Sequence, residues 1–139
     1  MAPVSNVFRF QLHVTDEVID TNGHVNNVAY VQWMQDAAIK HARSVIRDEL
    51  YSETGTTWIA KSHLVEYLES AFAGDSIEVS TWLEKLRKVR CTRKYEFRRE
   101  NDAALLARGE TEWVYVRAKD GKPQAITEEM ISGFRDGPS

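Results

Sequence analysis

The sequence predicts an α+β domain in which an antiparallel five-stranded sheet wraps around one long helix, with a short helix near the C-terminus. Three patterns lead to this fold class. Residues 25–47 repeat apolar side chains at spacings of three and four, which places them on one face of a helix. Five other segments alternate apolar and polar residues, as half-buried strands do. Short turns join the last four of these segments, so consecutive strands are expected to pair antiparallel as a meander.

The bulk properties describe an ordinary globular chain. Its 139 residues suit one domain with a single core. The net charge of −3 gives no general reason to expect nucleic-acid binding, and no apolar stretch approaches the length of a membrane span. The single cysteine, Cys91, excludes an internal disulfide and fits a cytoplasmic location. We expect Cys91 to be a small buried core residue.

The first half of the chain contains one strand and the long helix. The strand covers residues 7–14, and the helix covers about residues 25–47. The apolar face of the helix comprises Tyr30, Trp33, Met34, Ala37, Ala38, His41 and Val45. On that face, His41 is expected to be a hydrogen-bonded core histidine. Residues 51–56 are predicted to form a polar loop.

The second half is mostly strand. The four later strands are predicted at residues 57–69, 76–86, 91–100 and 105–116. In the first of them, strict alternation places Trp58 and His63 on opposite faces. Thr127, followed by two glutamates, predicts the N-cap of a short helix that ends near Phe134. A sheet of this kind must bury one face, and the long helix is the large apolar partner available.

Chemistry is concentrated in the turn before the long helix. Asp20, Asn22 and His24 lie in this turn, and Gly23 after Asn22 favours a reversal of the chain. A helix that begins just after the turn directs its unpaired backbone N–H groups and its positive dipole end toward these side chains. A carboxylate, an amide, an imidazole and an anion-stabilising helix end therefore converge within a dozen residues.

The motif Asp20-x-Asn22-x-His24-Val25-Asn26-Asn27-x-x-Tyr30 resembles the active-site segment of hotdog-fold thioesterases. It is similar both to the 4-hydroxybenzoyl-CoA thioesterase-like group and to the acyl-ACP thioesterases. The resemblance implies a hotdog fold and hydrolysis of an acyl-CoA or acyl-ACP substrate without a cofactor or metal. It also implies a homodimer or a dimer of dimers, in which two sheets join edge to edge.

The resemblance assigns roles to the residues of this motif. Asp20 corresponds to the catalytic aspartate, which acts as general base or nucleophile. Asn22 and His24 would help to activate the attacking group or orient the substrate. The substrate-binding group comprises Asn26, Asn27 and Tyr30, with the backbone amide nearest Asn27 polarising the thioester carbonyl. The structural alternative is a turn-forming aspartate and asparagine beside a hydrogen-bonded histidine.

A basic run between Lys85 and Lys94 is the second candidate feature. Arg87, Lys88 and Arg90 in this run are predicted to attract a CoA nucleotide or an acidic carrier protein, and the alternative is a solvated hairpin. Glu69 is not counted as catalytic, because strand alternation directs it away from the position expected of a catalytic glutamate. The sequence contains no cluster of Cys and His residues, so no metal site is predicted.

Two other functions compete with thioester hydrolysis. A non-catalytic module that binds acyl-CoA would keep the pocket but show no turnover. A hotdog dehydratase would carry its histidine in a segment rich in proline and glycine, and this sequence has no such segment.

Overall fold

The computed structural model describes residues 3–137, which form five strands and three α-helices around one sheet. In chain order the elements are β1 (Phe8–His13), α1 (Asn27–Val45), α2 (Glu49–Thr54), β2 (Thr56–Tyr67), β3 (Ser76–Leu86), β4 (Arg90–Arg99), β5 (Leu105–Arg117) and α3 (Glu128–Asp136). A single 3-10 turn, Asp16–Val18, lies between β1 and α1. The predicted sheet, long helix and short C-terminal helix are all confirmed.

The sheet is antiparallel throughout, with the strand order β1-β3-β4-β5-β2. Strands β3, β4 and β5 form the expected meander, but β2 pairs with β5 instead of β3. The meander is therefore wrong for β2. The connection between β2 and β3 is not a tight hairpin. It crosses the start of α1, where Ala71 O accepts the N–H of Val25 at 2.8 Å, and then reaches β1, where Val14 O accepts the N–H of Gly74 at 2.9 Å.

Helix α1 lies against one face of the sheet and contributes buried side chains to the core. It buries five side chains of the predicted face: Tyr30, Met34, Ala37, Ala38 and His41. The sheet buries Ile77, Val79 and Leu83 from the predicted inner face of β3. The predicted faces of α1 and β3 therefore both contribute to the core, whose buried apolar residues form two clusters.

A β-bulge changes the direction of the side chains along β2. The register against β5 shifts between Ala60 and Ser62. Trp58 before the shift and Val65 after it both pack against the core, while Lys61 is exposed. The prediction that Trp58 and His63 lie on opposite faces is therefore wrong, because the extra residue of a bulge interrupts strict alternation.

Two short helices complete the domain. The loop predicted at residues 51–56 is wrong, since Glu49–Thr54 is a helix that buries Leu50 and ends at Gly55 with φ of +65°. Helix α3 begins as predicted, with the N–H of Met130 donating to the Thr127 side chain at 3.2 Å. Within residues 3–137, no helix is both long enough and apolar enough to cross a membrane.

Candidate active site

The turn at Asp20 is closed by three short hydrogen bonds. The N–H of Asp20 donates to His24 O and the N–H of Gly23 donates to Asp20 O, both at 3.0 Å. The N–H of Asn22 donates to the Asp20 carboxylate at 2.9 Å. Gly23 has φ of +84°, a conformation that side-chain-bearing residues rarely adopt. The predicted chain reversal is therefore present, and one carboxylate oxygen of Asp20 is held in an Asx-turn.

The turn is tied to the start of α1 by backbone hydrogen bonds on both sides. The N–H of Asn26 donates to Val18 O at 2.8 Å, and Ile19 pairs with Val25 as an isolated bridge. The side chain of Asn26 is the N-cap and accepts the N–H of Val28 at 2.8 Å. Asn27 is the first helical residue, so its N–H has no acceptor within the helix.

A small cavity of about 170 Å³ lies at this end of α1. It is lined by His24, Val25, Asn27, Tyr30, Tyr67, Leu68, Glu69, Ser70 and Ala71. Three of the predicted site residues therefore meet at one cavity: His24, Asn27 and Tyr30. Asp20 and Asn22 do not line it, but the hydrogen bond from Asp20 N–H to His24 O joins the aspartate to its wall.

Two of the lining residues of this cavity are tyrosines, Tyr30 and Tyr67. Tyr67 donates its hydroxyl to Asn27 O at 3.1 Å and meets Tyr30 edge to face. The Tyr30 hydroxyl is buried and has no hydrogen-bond partner within residues 3–137. Burial, followed by the nearby Tyr67, raises the pKa of Tyr30 to about 12, so this hydroxyl keeps its proton at neutral pH.

Glu69 lines the same cavity, although the alternation of β2 was expected to direct it away. The strand ends at Tyr67, and the N–H groups of Leu68 and Glu69 both donate to Leu106 O. Glu69 is thus outside the strand, where a period of two no longer applies. Its carboxylate lies 3.7 Å from the guanidinium of Arg99.

Arg99 anchors the segment that carries Glu69. It donates from Nη1 to Ser70 O at 3.0 Å and to Asp75 Oδ2 at 3.1 Å, while Nε reaches Asp102. Only 13% of its side chain is exposed. No sequence pattern predicts this role, because Arg99 resembles any other charged residue near the end of a strand.

The basic residues proposed to attract a carrier lie elsewhere in the chain. Arg87, Lys88 and Arg90 are exposed on the hairpin between β3 and β4, where the N–H of Arg87 donates to Arg90 O at 2.8 Å. Asp75 directly precedes β3, in the connection that crosses the start of α1. This hairpin lies at the opposite end of β3. A single chain therefore does not bring these residues to Asp20.

Other sequence-based expectations concern isolated side chains. Cys91 is buried as predicted, with 4% of its surface exposed, and burial raises its pKa to about 12, so it is a poor nucleophile at neutral pH. His41 is also a hydrogen-bonded core residue as predicted, with Asn6 and Arg93 as partners. Across residues 3–137, no three His, Cys, Asp or Glu side chains gather into a metal site.

Comparisons with known proteins agree with this fold. No curated protein sequence matches the chain. Among solved structures, the Synechocystis protein Slr0204, a 1,4-dihydroxy-2-naphthoyl-CoA thioesterase, superposes with a TM-score of 0.85 at 19% identity over 96% of this chain and 100% of that one. YbaW, a probable thioesterase from Escherichia coli, gives 0.82 at 16% identity over 91% and 96%.

The 12:0-ACP thioesterase of Umbellularia californica superposes with a TM-score of 0.80 at 19% identity. The match covers 92% of this chain but 49% of the plant enzyme, so one hotdog unit here corresponds to about half of that protein. The family model of the thioesterase-like superfamily matches residues 14–134, a span that contains the Asp20 turn, α1 and the whole sheet except β1. The chain therefore belongs to the thioesterase-like superfamily and has the hotdog fold of its acyl thioester hydrolases.

Proposed function

We propose that this thioesterase-family hydrolase cleaves acyl-CoA or acyl-ACP thioesters with Asp20 and the N-terminal amides of α1. The observation that supports this most directly is the position of the Asp20 turn. Its hydrogen bond to His24 holds the aspartate beside a cavity into which the first residue of α1 also faces. Hydrolysis needs an attacking group and a donor for the carbonyl oxygen, and in this proposal Asp20 supplies the first and the start of α1 supplies the second.

Asp20 supplies the attacking function in this proposal, either as general base toward a water or as a nucleophile. One of its oxygens accepts the N–H of Asn22, which fixes the orientation of the carboxylate. Asn22 and His24 orient the attacking group or the substrate. In the nucleophilic route, the carboxylate displaces the thiol and water then hydrolyses the mixed anhydride. In the general-base route, water attacks directly.

The start of α1 stabilises the developing oxyanion. The Asn26 side chain already caps the N–H of Val28, whereas the N–H of Asn27 has no acceptor in the helix. The positive end of the helix dipole adds to this donor. The Tyr30 hydroxyl keeps its proton at neutral pH and has no protein partner in residues 3–137, and the Tyr30 side chain lines the same cavity.

The acyl carrier and the assembly are also part of the proposal. Arg87, Lys88 and Arg90 attract the phosphates of CoA or an acidic carrier protein through long-range charge. Since these residues lie far from Asp20 within one chain, the full site requires a second copy that joins through the free edge of β2. A cytoplasmic location remains a prediction from the single cysteine.

The decisive experiment compares Asp20→Asn with Asp16→Asn. The second variant removes the same charge from an exposed aspartate in the preceding 3-10 turn. Both proteins and the parent are assayed against short-chain, long-chain and aromatic acyl-CoAs. We expect kcat to fall by about 100-fold or more for Asp20→Asn, the scale of a lost acid–base group, and to stay near the parent value for Asp16→Asn.

Two outcomes would change the assignment. A folded Asp20→Asn protein with the parent's kcat removes Asp20 from the mechanism and leaves the turn as a structural feature. A parent protein that binds a non-hydrolysable acyl-CoA analogue but turns over none of the tested substrates favours the alternative of a non-catalytic acyl-CoA-binding module.

A further inference from the structure

A second and larger cavity, of about 370 Å³, lies along the second half of α1. It is bounded by α1, α2, the start of β2, the neighbouring parts of β4 and β5, and α3. The lining residues are mainly apolar and aromatic, and Trp58, Trp113, Phe134 and Cys91 are among them. Within one chain, this cavity lies toward the opposite end of α1 from Asp20.

Arg93 lines this cavity although it is almost completely buried, with 3% of its surface exposed. Its Nη1 donates to His41 Nδ1 at 2.8 Å and to Thr81 Oγ1 at 3.0 Å. Its Nε is buried and has no acceptor within residues 3–137. In the sequence, Arg93 belongs to the basic run between Lys85 and Lys94, which was expected either to attract a carrier or to be a solvated hairpin. The solvated alternative is wrong for Arg93, because its side chain is buried in the core.

The groups around Arg93 carry no negative charge at neutral pH. Burial and the guanidinium itself lower the pKa of His41 to about 3, so its ring is neutral and accepts the hydrogen bond. The ionisable groups that act most strongly on Arg93 are Tyr95, Cys91 and Tyr51, and burial raises the pKa of each of them. A buried guanidinium without a carboxylate is costly, since the desolvation of the charge is not offset by a counter-ion.

The remaining charged residues of the cavity wall offset one another. Arg43 and Asp48 are exposed and face each other with 3.7 Å between Nε and Oδ1. The lining therefore keeps one net positive charge, that of Arg93. The Arg93 guanidinium carbon lies 5.9 Å from the centre of the Phe134 ring. A cavity of this size, mostly apolar with few polar groups, is typical of a small-molecule site.

We propose that this cavity binds an organic carboxylate with an apolar body, whose anionic end pairs with the Arg93 guanidinium while its body lies among the aromatic rings. A carboxylate accepts hydrogen bonds from the planar fork of a guanidinium in two parallel contacts. Its single charge balances the single net charge of the lining. A phosphate dianion would bring an excess of charge into a mostly apolar cavity.

The test is isothermal titration calorimetry of the purified protein with octanoate and with benzoate. Octanamide and benzamide serve as neutral ligands of nearly the same shape. We expect both carboxylates to bind the parent protein at least ten times more tightly than the matching amides. The measurement involves no turnover, so its result is independent of whether the proposed thioester hydrolysis is correct.

Two test variants and one control locate the binding. Arg93→Met keeps the length of the side chain without its charge, and we expect it to weaken carboxylate binding by at least tenfold. Arg9→Met, which removes the same charge from an exposed position on β1, should leave binding unchanged. Ala42→Phe fills part of the cavity while Arg93 stays in place, and it should also weaken binding.

The following results would contradict the proposed carboxylate site. Parent protein that binds carboxylates no better than amides excludes it, as does a folded Arg93→Met protein that binds octanoate like the parent. If Arg93→Met does not fold, Ala42→Phe decides: unchanged octanoate affinity in that variant means that the ligand does not occupy this cavity.

Discussion

At the residue scale, the most consequential feature of the core is the contact between His41 and Arg93. The apolar face of α1 predicted a buried histidine, and the histidine is fully buried between Asn6 Oδ1 and the Arg93 guanidinium, each 2.8 Å away. Arg93 was not predicted to be the partner, because an arginine among five other basic residues resembles a solvated charge. Its position on the inner face of β4, between Cys91 and Tyr95, follows the same period of two that identified the strand.

This contact predicts a pH dependence of folding stability. The pKa of His41 is about 3 in the folded state and about 6.5 in the unfolded chain. Between these pH values the unfolded chain binds one more proton, so the contribution of neutral His41 is complete above pH 6.5 and is lost as the pH falls toward 3. We expect the parent to lose about 2 kcal/mol more unfolding free energy than His41→Gln between pH 7 and pH 5.

Urea denaturation at the two pH values measures this difference. His13→Gln serves as the control, because His13 is exposed on β1, and it should show the parent's pH dependence. Parallel loss of stability in the parent and in His41→Gln would mean that carboxylates alone account for the acid sensitivity.

At the element scale, the connection between β2 and β3 positions the candidate active site. Its Ala71 O accepts the N–H of Val25 at the start of α1, and Arg99 on β4 holds the same connection through Ser70 O and Asp75. The same connection carries Glu69, which lines the cavity. Arg99 therefore links the sheet to the connection between β2 and β3, and through that connection to the start of α1. A short turn in its place would have put β3 beside β2.

We expect Arg99→Met to loosen this connection without disrupting the sheet. Loss of hydrogen bonds from a charged, largely buried donor should lower the free energy of unfolding by about 1–3 kcal/mol. The amide of Val25 should exchange with solvent faster, since its acceptor lies in the released segment. Urea denaturation and hydrogen exchange measure the two effects.

Arg98→Met is the matched control for this prediction. Arg98 is the neighbouring residue on β4, is more exposed, and reaches Ala103 O at 3.3 Å. Arg98→Met should leave the free energy of unfolding and the exchange rate of the Val25 amide near the parent values. Equal effects of the two substitutions would assign the change to a general loss of charge on β4.

At the scale of the whole molecule, β2 is the feature that favours association with a second copy of the chain. It is a twelve-residue edge strand that pairs with β5 on one side. Large apolar side chains on it and just beyond it are exposed, namely Ile59, Leu64, Tyr67, Leu68 and Phe72. An unpaired, apolar edge favours pairing with another chain. A two-fold arrangement that joins two β2 strands would cover both edges at once.

We therefore expect a dimer at micromolar concentration in sedimentation velocity experiments. Leu64→Lys should shift the protein toward monomer, because a lysine on an edge strand opposes strand pairing. Gln11→Lys places the same charge on β1, the other edge of the sheet, and should leave the dimer intact. An active parent monomer would contradict both the dimer and the requirement for a shared site.

Local patterns determined a large part of this molecule. The face of α1, the alternation in β1 and β3, the Asp20 turn and the cap of α3 at Thr127 all depend on neighbours within a few residues, and all are present in the structure. The motif around Asp20 also led to the family, because it lies in one continuous segment. Its catalytic role stays a prediction until the substitutions are made.

Other features depended on contacts between distant segments. The partner of β2, its bulge at Lys61 and the helical turn that buries Leu50 follow from how the chain packs after it collapses. Glu69 reaches the cavity because β2 ends two residues earlier, and the charge of Arg93 is enclosed because α1 covers that part of the sheet. Periodicity reports which face of an element is buried. The tertiary structure alone decides which groups become neighbours in the interior and whether a buried charge has a counter-ion. The interaction energies between charged groups depend on the distances between residues that are far apart in the sequence.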